Sequence, residues 1–278
     1  MLEIPEAQTI AGQLKKTVVG KTIKQAVAAA SPHGFAWYFD DPALYGKVLN
    51  GKKITDTAAY GGRPEIWAGD MRISFGDGVN VRYFAIGAKR PAKHQLLLEL
   101  DSGDAICCTV QMYGGLWAFE DGANNDFYYT VAKEKPSPLS EAFDKAYFDS
   151  LLTGDSQKLS AKAFLATEQR IPGLGNGVLQ DILWRAKIHP KRKMNTVADD
   201  ELKSLFQIVK SLLSEMTELG GRDTEKDLFG NPGGYITTMS KKNDGMPCPI
   251  CGSFIRRLAY MGGNVYVCEG CQKLEVRS

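Results

Sequence analysis

Four of the six cysteines fall in two CxxC pairs, Cys248-Pro-Ile-Cys251 and Cys268-Glu-Gly-Cys271, separated by 16 residues. Each CxxC turn lets two sulfurs converge on one ion. Four thiolates close a tetrahedron around Zn²⁺ with bonds of about 2.3 Å. No coordination position is left open, so one structural zinc ion is expected, and not a catalytic one. The intervening SFIRRLAYMGGNVYV reads as a β-hairpin turning at Gly262-Gly263. It has little to bury, so the metal would stand in for a core. Two disulfides or a redox dithiol are the other readings of these cysteines; the spacing and a reducing compartment argue for zinc. Cys107 and Cys108 are adjacent on an apparent strand, so they face opposite ways and read as buried thiols.

The second chemical stretch is ATEQRIPGLGNGVLQDILWRAKIHPKRKMN. Gly173, Gly175 and Gly177 surround Asn176 just before a helical pattern of Val178, Leu179, Ile182 and Leu183. A tight turn opening a helix leaves backbone N–H groups free to hold a phosphate, and Asn176 adds a side-chain donor. Arg185, Lys187, Lys191, Arg192 and Lys193 then place five positive charges in nine residues, with no acidic residue between Asp181 and Asp199. Such a run is also what an ordinary solvated helix end carries. Its company, a Gly-Asn turn and a cysteine hairpin bearing Arg256 and Arg257, points to nucleic acid.

These residues need elements to position them. Residues 1–20 read as an amphipathic helix: Ala7, Ile10, Ala11, Leu14 and Val18 recur at spacings of three and four, Pro5 suits the first turn and Gly20 the stop. Residues 21–135 read as short strands punctuated by Gly, Asp and Asn. Hairpin-like turns are expected at Asp77-Gly78 and Ser102-Gly103, which suggests an antiparallel sandwich or barrel. Trp67 and Trp117 are expected as core aromatics. KEKPSPL, 133–139, reads as a linker. Residues 140–221 are helical, and the clearest helix is capped by Thr196 and Asp199. Its apolar stripe is Leu202, Leu205, Ile208, Val209, Leu212, Leu213, Met216 and Leu219, ending at Gly220-Gly221. The expected units are 1–135, 140–235 and 244–278.

The chain has 278 residues, 44% hydrophobic and 24% charged, which excludes collagen-like, coiled-coil and largely disordered readings. The net charge of +2, from 34 basic and 32 acidic residues, neither demands nor forbids an anionic partner. No apolar run approaches the roughly 20 residues that cross a bilayer. MLEIPEAQTI has no basic n-region and does not read as a secretory signal, so a cytoplasmic, nucleoid-associated monomer is expected.

Taken in order, these motifs resemble the formamidopyrimidine-DNA glycosylase/endonuclease VIII family of base-excision-repair enzymes. LEIPEAQTI is similar to the family's PELPEVETI opening. GLGNGVLQDILWRAKIHP is similar to its helix-two-turn-helix motif, GxGNxYxxExLFxAgIHP, and the tail ending CEGCQ is similar to its zinc finger. The resemblance implies an α+β multidomain fold: an N-terminal helix with an antiparallel β-sandwich, a helix-two-turn-helix domain, and a C-terminal β-hairpin zinc finger. DNA would run between the halves. It also implies an activity on damaged duplex DNA. The damaged nucleotide is flipped out, and the N-terminal α-amine attacks C1′ to give a Schiff base and strand scission. Such an amine, with a pKa of about 7.7–8.0, keeps a reactive free-base fraction near neutrality.

Carried over by position, Glu3 and Glu6 are the acidic groups beside the amine, and Asn176, with Gly175, is the phosphate-binding turn. Departures fall on the reacting end. Leu2 stands where the family has proline, and a residue this large would leave Met1 in place. Ala59 falls at the family's sandwich lysine. TVQMYG stands for its DPRRFG loop, so Met112 replaces an arginine and Tyr113 a phenylalanine. Gly263 aligns with the phosphate-clamping arginine of the hairpin. The expected catalytic set is therefore Met1, Leu2, Glu3 and Glu6. The expected DNA contacts are Gly175, Asn176, Met112, Tyr113, Lys191, Arg192 and Arg257. A glycosylase/AP lyase is the leading reading. A non-catalytic damage-binding member and a zinc-ribbon interaction or RNA-binding protein are the alternatives.

Overall fold

The computed structural model describes residues 2–76 and 78–274. The expectation placed on Met1, and the Asp77 half of the first expected turn, lie outside the described residues. Helix α1 (Ile4–Val18) opens at Pro5, and the Glu6 carboxylate reaches back to accept the Glu3 N–H at 3.2 Å. Ala7, Ile10, Ala11, Leu14 and Val18 are all buried, as their spacing requires.

Strands follow, among the described residues: β1 (Ile23–Ala28), β2 (Ala36–Tyr38), β3 (Ile54–Tyr60), β4 (Arg63–Ala68), β5 (Met71–Phe75), β6 (Val79–Phe84), β7 (Leu96–Leu100), β8 (Ala105–Val110) and β9 (Gly114–Glu120). They form two layers, β1-β7-β8-β6 and β2-β9-β5-β4-β3. Their pairings are antiparallel except β2 with β9, which is parallel. Alternation in β7 sends Leu96, Leu98 and Leu100 inward. A short helix, α2 (Tyr45–Leu49), interrupts the strand region between β2 and β3. The 102–103 turn joins β7 to β8 as expected, with Gly103 at φ +87°. β5 and β6, on either side of the first expected turn, belong to different layers and do not pair with each other.

Helix α3 (Phe127–Glu134) takes the first part of the expected linker; Asp126 caps it by accepting the Tyr129 N–H at 3.0 Å. The helical region then holds α4 (Lys145–Ser150), α5 (Ala161–Ala166), α6 (Asn176–Arg185) and α7 (Asp199–Glu218). The cap of α7 is not Thr196. Glu201 reaches back to accept the Ala198 N–H at 2.9 Å, so the capping carboxylate lies two residues later than expected. Leu205, Val209, Leu212, Leu213 and Met216 are buried, while Leu219 lies past the helix end and is exposed. The hairpin pairs β10 (Arg256–Tyr260) with β11 (Gly263–Val267) through Met261 and Gly262, at φ +52° and +72°. Two consecutive left-handed residues are what a type I′ turn needs.

Apolar clusters form in three places among the described residues: inside the sandwich, among the helices, and under the hairpin around Trp184, Met239 and Ile255. They are stitched together at the ends. Ile4, on the first turn of α1, belongs to the helical cluster. Leu228, after α7, belongs to the sandwich cluster, and its carbonyl accepts the Tyr83 N–H at 2.9 Å. The segment after α7 therefore returns to the sandwich instead of staying with the helices.

Candidate nucleic-acid interface and metal cluster

A cleft of about 480 Å³ lies between the sandwich and the helices. Leu2 and Glu3 line it, with β-layer residues on one side and Gly173, Leu174 and Gly175 on the other. Backbone meets backbone at its floor. Gly173, at φ +79°, would put a Cβ 2.2 Å from the Gly62 nitrogen, and a Cβ on Gly62 would lie 2.7 Å from the Leu2 carbonyl oxygen. Only glycine allows this approach. The Ile4 N–H donates to the Gly173 carbonyl at 3.0 Å, tying the chain's beginning to the loop before α6.

Glu3 is 4% exposed. Its carboxylate accepts the Gly177 and Val178 N–H groups, each at 2.8 Å, and so occupies the amino terminus of α6. The free amides expected there for a phosphate are thus taken by a side chain 174 residues away in sequence. Burial pushes the Glu3 carboxyl above its ordinary range, while Arg222 and the two amides pull the other way. Arg222 is the residue that sequence reasoning missed. It is 3% exposed. Its Nε and Nη2 donate to the Glu6 carboxylate, both at 2.9 Å, and its Nη1 lies 3.5 Å from Glu3. Its own backbone N–H also donates to Glu6 at 3.1 Å. The one available signal was an arginine directly after the Gly220-Gly221 helix stop.

Asn176 and the hairpin come together: the Asn176 Nδ2 donates to the Asn264 carbonyl at 2.9 Å, while its buried Oδ1 has no hydrogen-bond partner among the described residues. Lys162, from α5, is buried and donates through Nζ to the Tyr260 carbonyl at 2.7 Å. Its Nζ lies 3.9 Å from where a Cβ on Gly263 would be. Lys191 stacks its Nζ over the Tyr260 ring at 5.3 Å.

The rest of the basic run is differently placed. Arg192 is 5% exposed and makes a two-pronged ion pair with Glu201, both contacts at 2.6 Å, so it faces inward and not toward a ligand. Arg185 pairs likewise with Glu215 at 2.9 Å. The acidic partners lie on α7, beyond the window in which the run reads as unopposed. Arg257 sits at the end of β10 away from the turn, 3.9 Å from Asp244. Met112 is exposed at 72%, and Tyr113 lies against Trp37 with ring centroids 5.7 Å apart. Ala59 is on β3 opposite Pro64. Trp67 and Trp117 are not core residues: each is half-buried beneath an arginine, Arg72 at 4.7 Å and Arg63 at 4.6 Å. Cys107 and Cys108 are buried as expected.

The sulfurs of Cys248, Cys251, Cys268 and Cys271 all lie within 4.8 Å of one another. Sulfur pairs stand 3.8 Å apart for Cys248–Cys271 and 3.3 Å for Cys251–Cys268. A tetrahedron with bonds of about 2.3 Å has edges of about 3.8 Å. The donor set therefore fits a closed, four-thiolate metal site.

The architecture defines a class, a β-sandwich and a helix-two-turn-helix unit clamped about a cleft and joined to a four-cysteine hairpin. Residues 135–227 match the family model described as the formamidopyrimidine-DNA glycosylase H2TH domain. A formamidopyrimidine-DNA glycosylase of Lactobacillus delbrueckii subsp. bulgaricus is 27% identical over 287 residues, covering 98% of this chain and all of that one. Its counterpart in Symbiobacterium thermophilum is 28% identical, covering 98% and 89%. Among solved structures, Lactococcus lactis Fpg in complex with abasic-site DNA superposes with a TM-score of 0.82 at 23% identity, covering 98% and 99%. The MutM (Fpg) protein of Thermus thermophilus gives 0.81 at 24%, covering 97% and 98%. Over nearly its whole length the chain is similar to formamidopyrimidine-DNA glycosylases, and it shares their fold.

Proposed function

We propose that this protein is a base-excision-repair DNA glycosylase and AP lyase that takes damaged DNA into the cleft between sandwich and helices. The observation that carries this reading is the placement of Leu2 and Glu3 together on the cleft wall, against the glycine-rich turn before α6. The α-amine of the first residue, Met1 or Leu2, adds to C1′ and the base leaves with its bonding pair. Loss of a C2′ proton then expels the 3′ phosphate. Glu3, whose carboxyl burial keeps above its ordinary range, is suited to give and take these protons. Glu6 holds Arg222 and, through it, the position of Glu3.

On the phosphate side, Asn176 exchanges its bond with the Asn264 carbonyl for a phosphate oxygen. Lys162 and Lys191 provide the charge that Gly263 lacks. Zinc at the four thiolates would fix the hairpin and so the height of its turn above Asn176; that ion's role is structural. A damage-binding member without turnover is a second reading, favoured by Ala59, Met112 and Gly263 at cationic positions.

Borohydride trapping on duplexes carrying an abasic site, an oxidised purine or an oxidised pyrimidine separates the two. A covalent protein–DNA adduct, reduced at least tenfold in Glu3→Gln, is expected. No adduct on any of the three, with lesion binding intact, removes the catalytic reading.

A further inference from the structure

The cleft is walled by rings. Trp37, on β2, is 47% exposed and forms a tilted pair with Tyr113, its ring at 32° to the tyrosine. Trp117 lies on the adjoining strand β9, and Arg63 covers it, so that cation is already engaged with a ring face. Tyr60 and Tyr128 complete the walls, and Tyr128 is 52% exposed. The volume of about 480 Å³ lies in the range of pockets that hold one small organic ligand.

Affinity for double-stranded DNA comes mostly from cations on phosphates, and among the described residues that line the cleft one is a cation, Arg63, while two are acids, Glu3 and Asp126. Aromatic faces offer a different handle: they stack on bases of any sequence. In an intact duplex the base faces are covered by their neighbours and only edges are presented. An exposed ring ledge therefore serves a base out of the stack, and an unpaired strand offers one without the energy that flipping from a duplex costs.

We propose that the substrate class of this cleft is unpaired DNA: a lesion-bearing nucleotide in a single strand, bubble or gap, its base lying on the Trp37–Tyr113 ledge. This rests on the reading that the cleft binds DNA. Single-stranded DNA then needs no energy for strand opening, and its affinity depends on stacking more than on salt.

The test is fluorescence anisotropy with a labelled single strand, a bubble and a fully paired duplex of one sequence, at about 50 and 200 mM salt, the span over which phosphate contacts lose most of their affinity. Single strand and bubble are expected to bind at least tenfold more tightly than the duplex. Trp37→Ala should weaken the single strand by about 5- to 150-fold, the worth of one stacked base. Trp37→Phe, which keeps a ring, should recover most of that loss. The proposal is overturned if the duplex binds as tightly as the single strand, or if Trp37→Ala leaves single-strand affinity unchanged. If the duplex wins while borohydride still traps an adduct, only the proposal of unpaired DNA falls. If no DNA binds even at the lower salt, the DNA reading falls with it.

Discussion

Replacing Arg222 with methionine keeps most of the side chain's bulk and removes its charge. The guanidinium makes two 2.9 Å bonds to Glu6 and sits 3.5 Å from Glu3, with all three side chains at most 5% exposed. Taking one partner out of a buried ionic cluster costs about 3–5 kcal/mol, because the remaining charge is stranded. Here two carboxylates lose their counter-ion, so the upper half of that range applies. A chain of this size loses about 2–4 °C in Tm per kcal/mol, giving a drop of about 8–20 °C at neutral pH. The pH dependence follows from the same cause. With Arg222 gone, nothing but the α6 amides opposes the burial that raises the Glu3 carboxyl. The folded variant then binds a proton that the unfolded chain releases above about pH 4.3, so its stability falls as pH rises past that point. Scanning calorimetry near neutrality and again close to that value, at about pH 7.5 and 4.5, should show the deficit of Arg222→Met against the native protein shrinking by at least half at the lower pH. A deficit under about 2 °C near neutrality would refute the claim that the cluster is a stabilising tie. An equal deficit at both pH values would show that lost packing, and not stranded charge, is responsible.

Gly173→Ala should cost about 2–6 kcal/mol, since it combines a left-handed φ with a backbone clash against Gly62; Gly122→Ala, at φ +82° in open space, should cost only about 1–2, and urea melts compare the two. A strong chelator, or Cys268→Ser, should expose the 244–274 hairpin to limited proteolysis while α1 and the sandwich stay resistant; an equally resistant hairpin would exclude a metal as its support. His189 is buried, and burial followed by the Lys191 charge lowers its pKa, so the folded state resists a proton that the unfolded chain accepts below about 6.5. Its contribution is whole above that value and lost as pH falls, so His189→Gln should flatten the native protein's Tm decline between about pH 7 and 5.5.

What is legible in the sequence shares a local cause. The CxxC pairs, the α1 stripe and the α7 stripe each encode their own geometry within a few turns of chain, and the sulfurs and apolar faces lie where their spacing puts them. The misreadings share a cause too. The basic run 185–193 reads as unopposed only because its acids, Glu201 and Glu215, are on the next helix. The Asp77-Gly78 turn reads as a hairpin because a tight turn carries no mark of whether its strands pair with each other or with different sheets. Trp67 and Trp117 read as core residues because an arginine that covers a ring is invisible to hydrophobic patterning.

The same limit explains the cleft. A glycine turn at the start of a helix advertises a site for an anion, and the sequence cannot say which anion arrives. Here the first claimant is Glu3, from the other end of the chain. Asn176 Nδ2, together with Lys162 and Lys191 at the hairpin turn, remains for an external phosphate, beside the rings of Trp37, Tyr113 and Trp117. A cleft that uses its helix terminus to position its own acid, and lines its walls with aromatic faces, is built to hold a nucleotide by its base first and its backbone second.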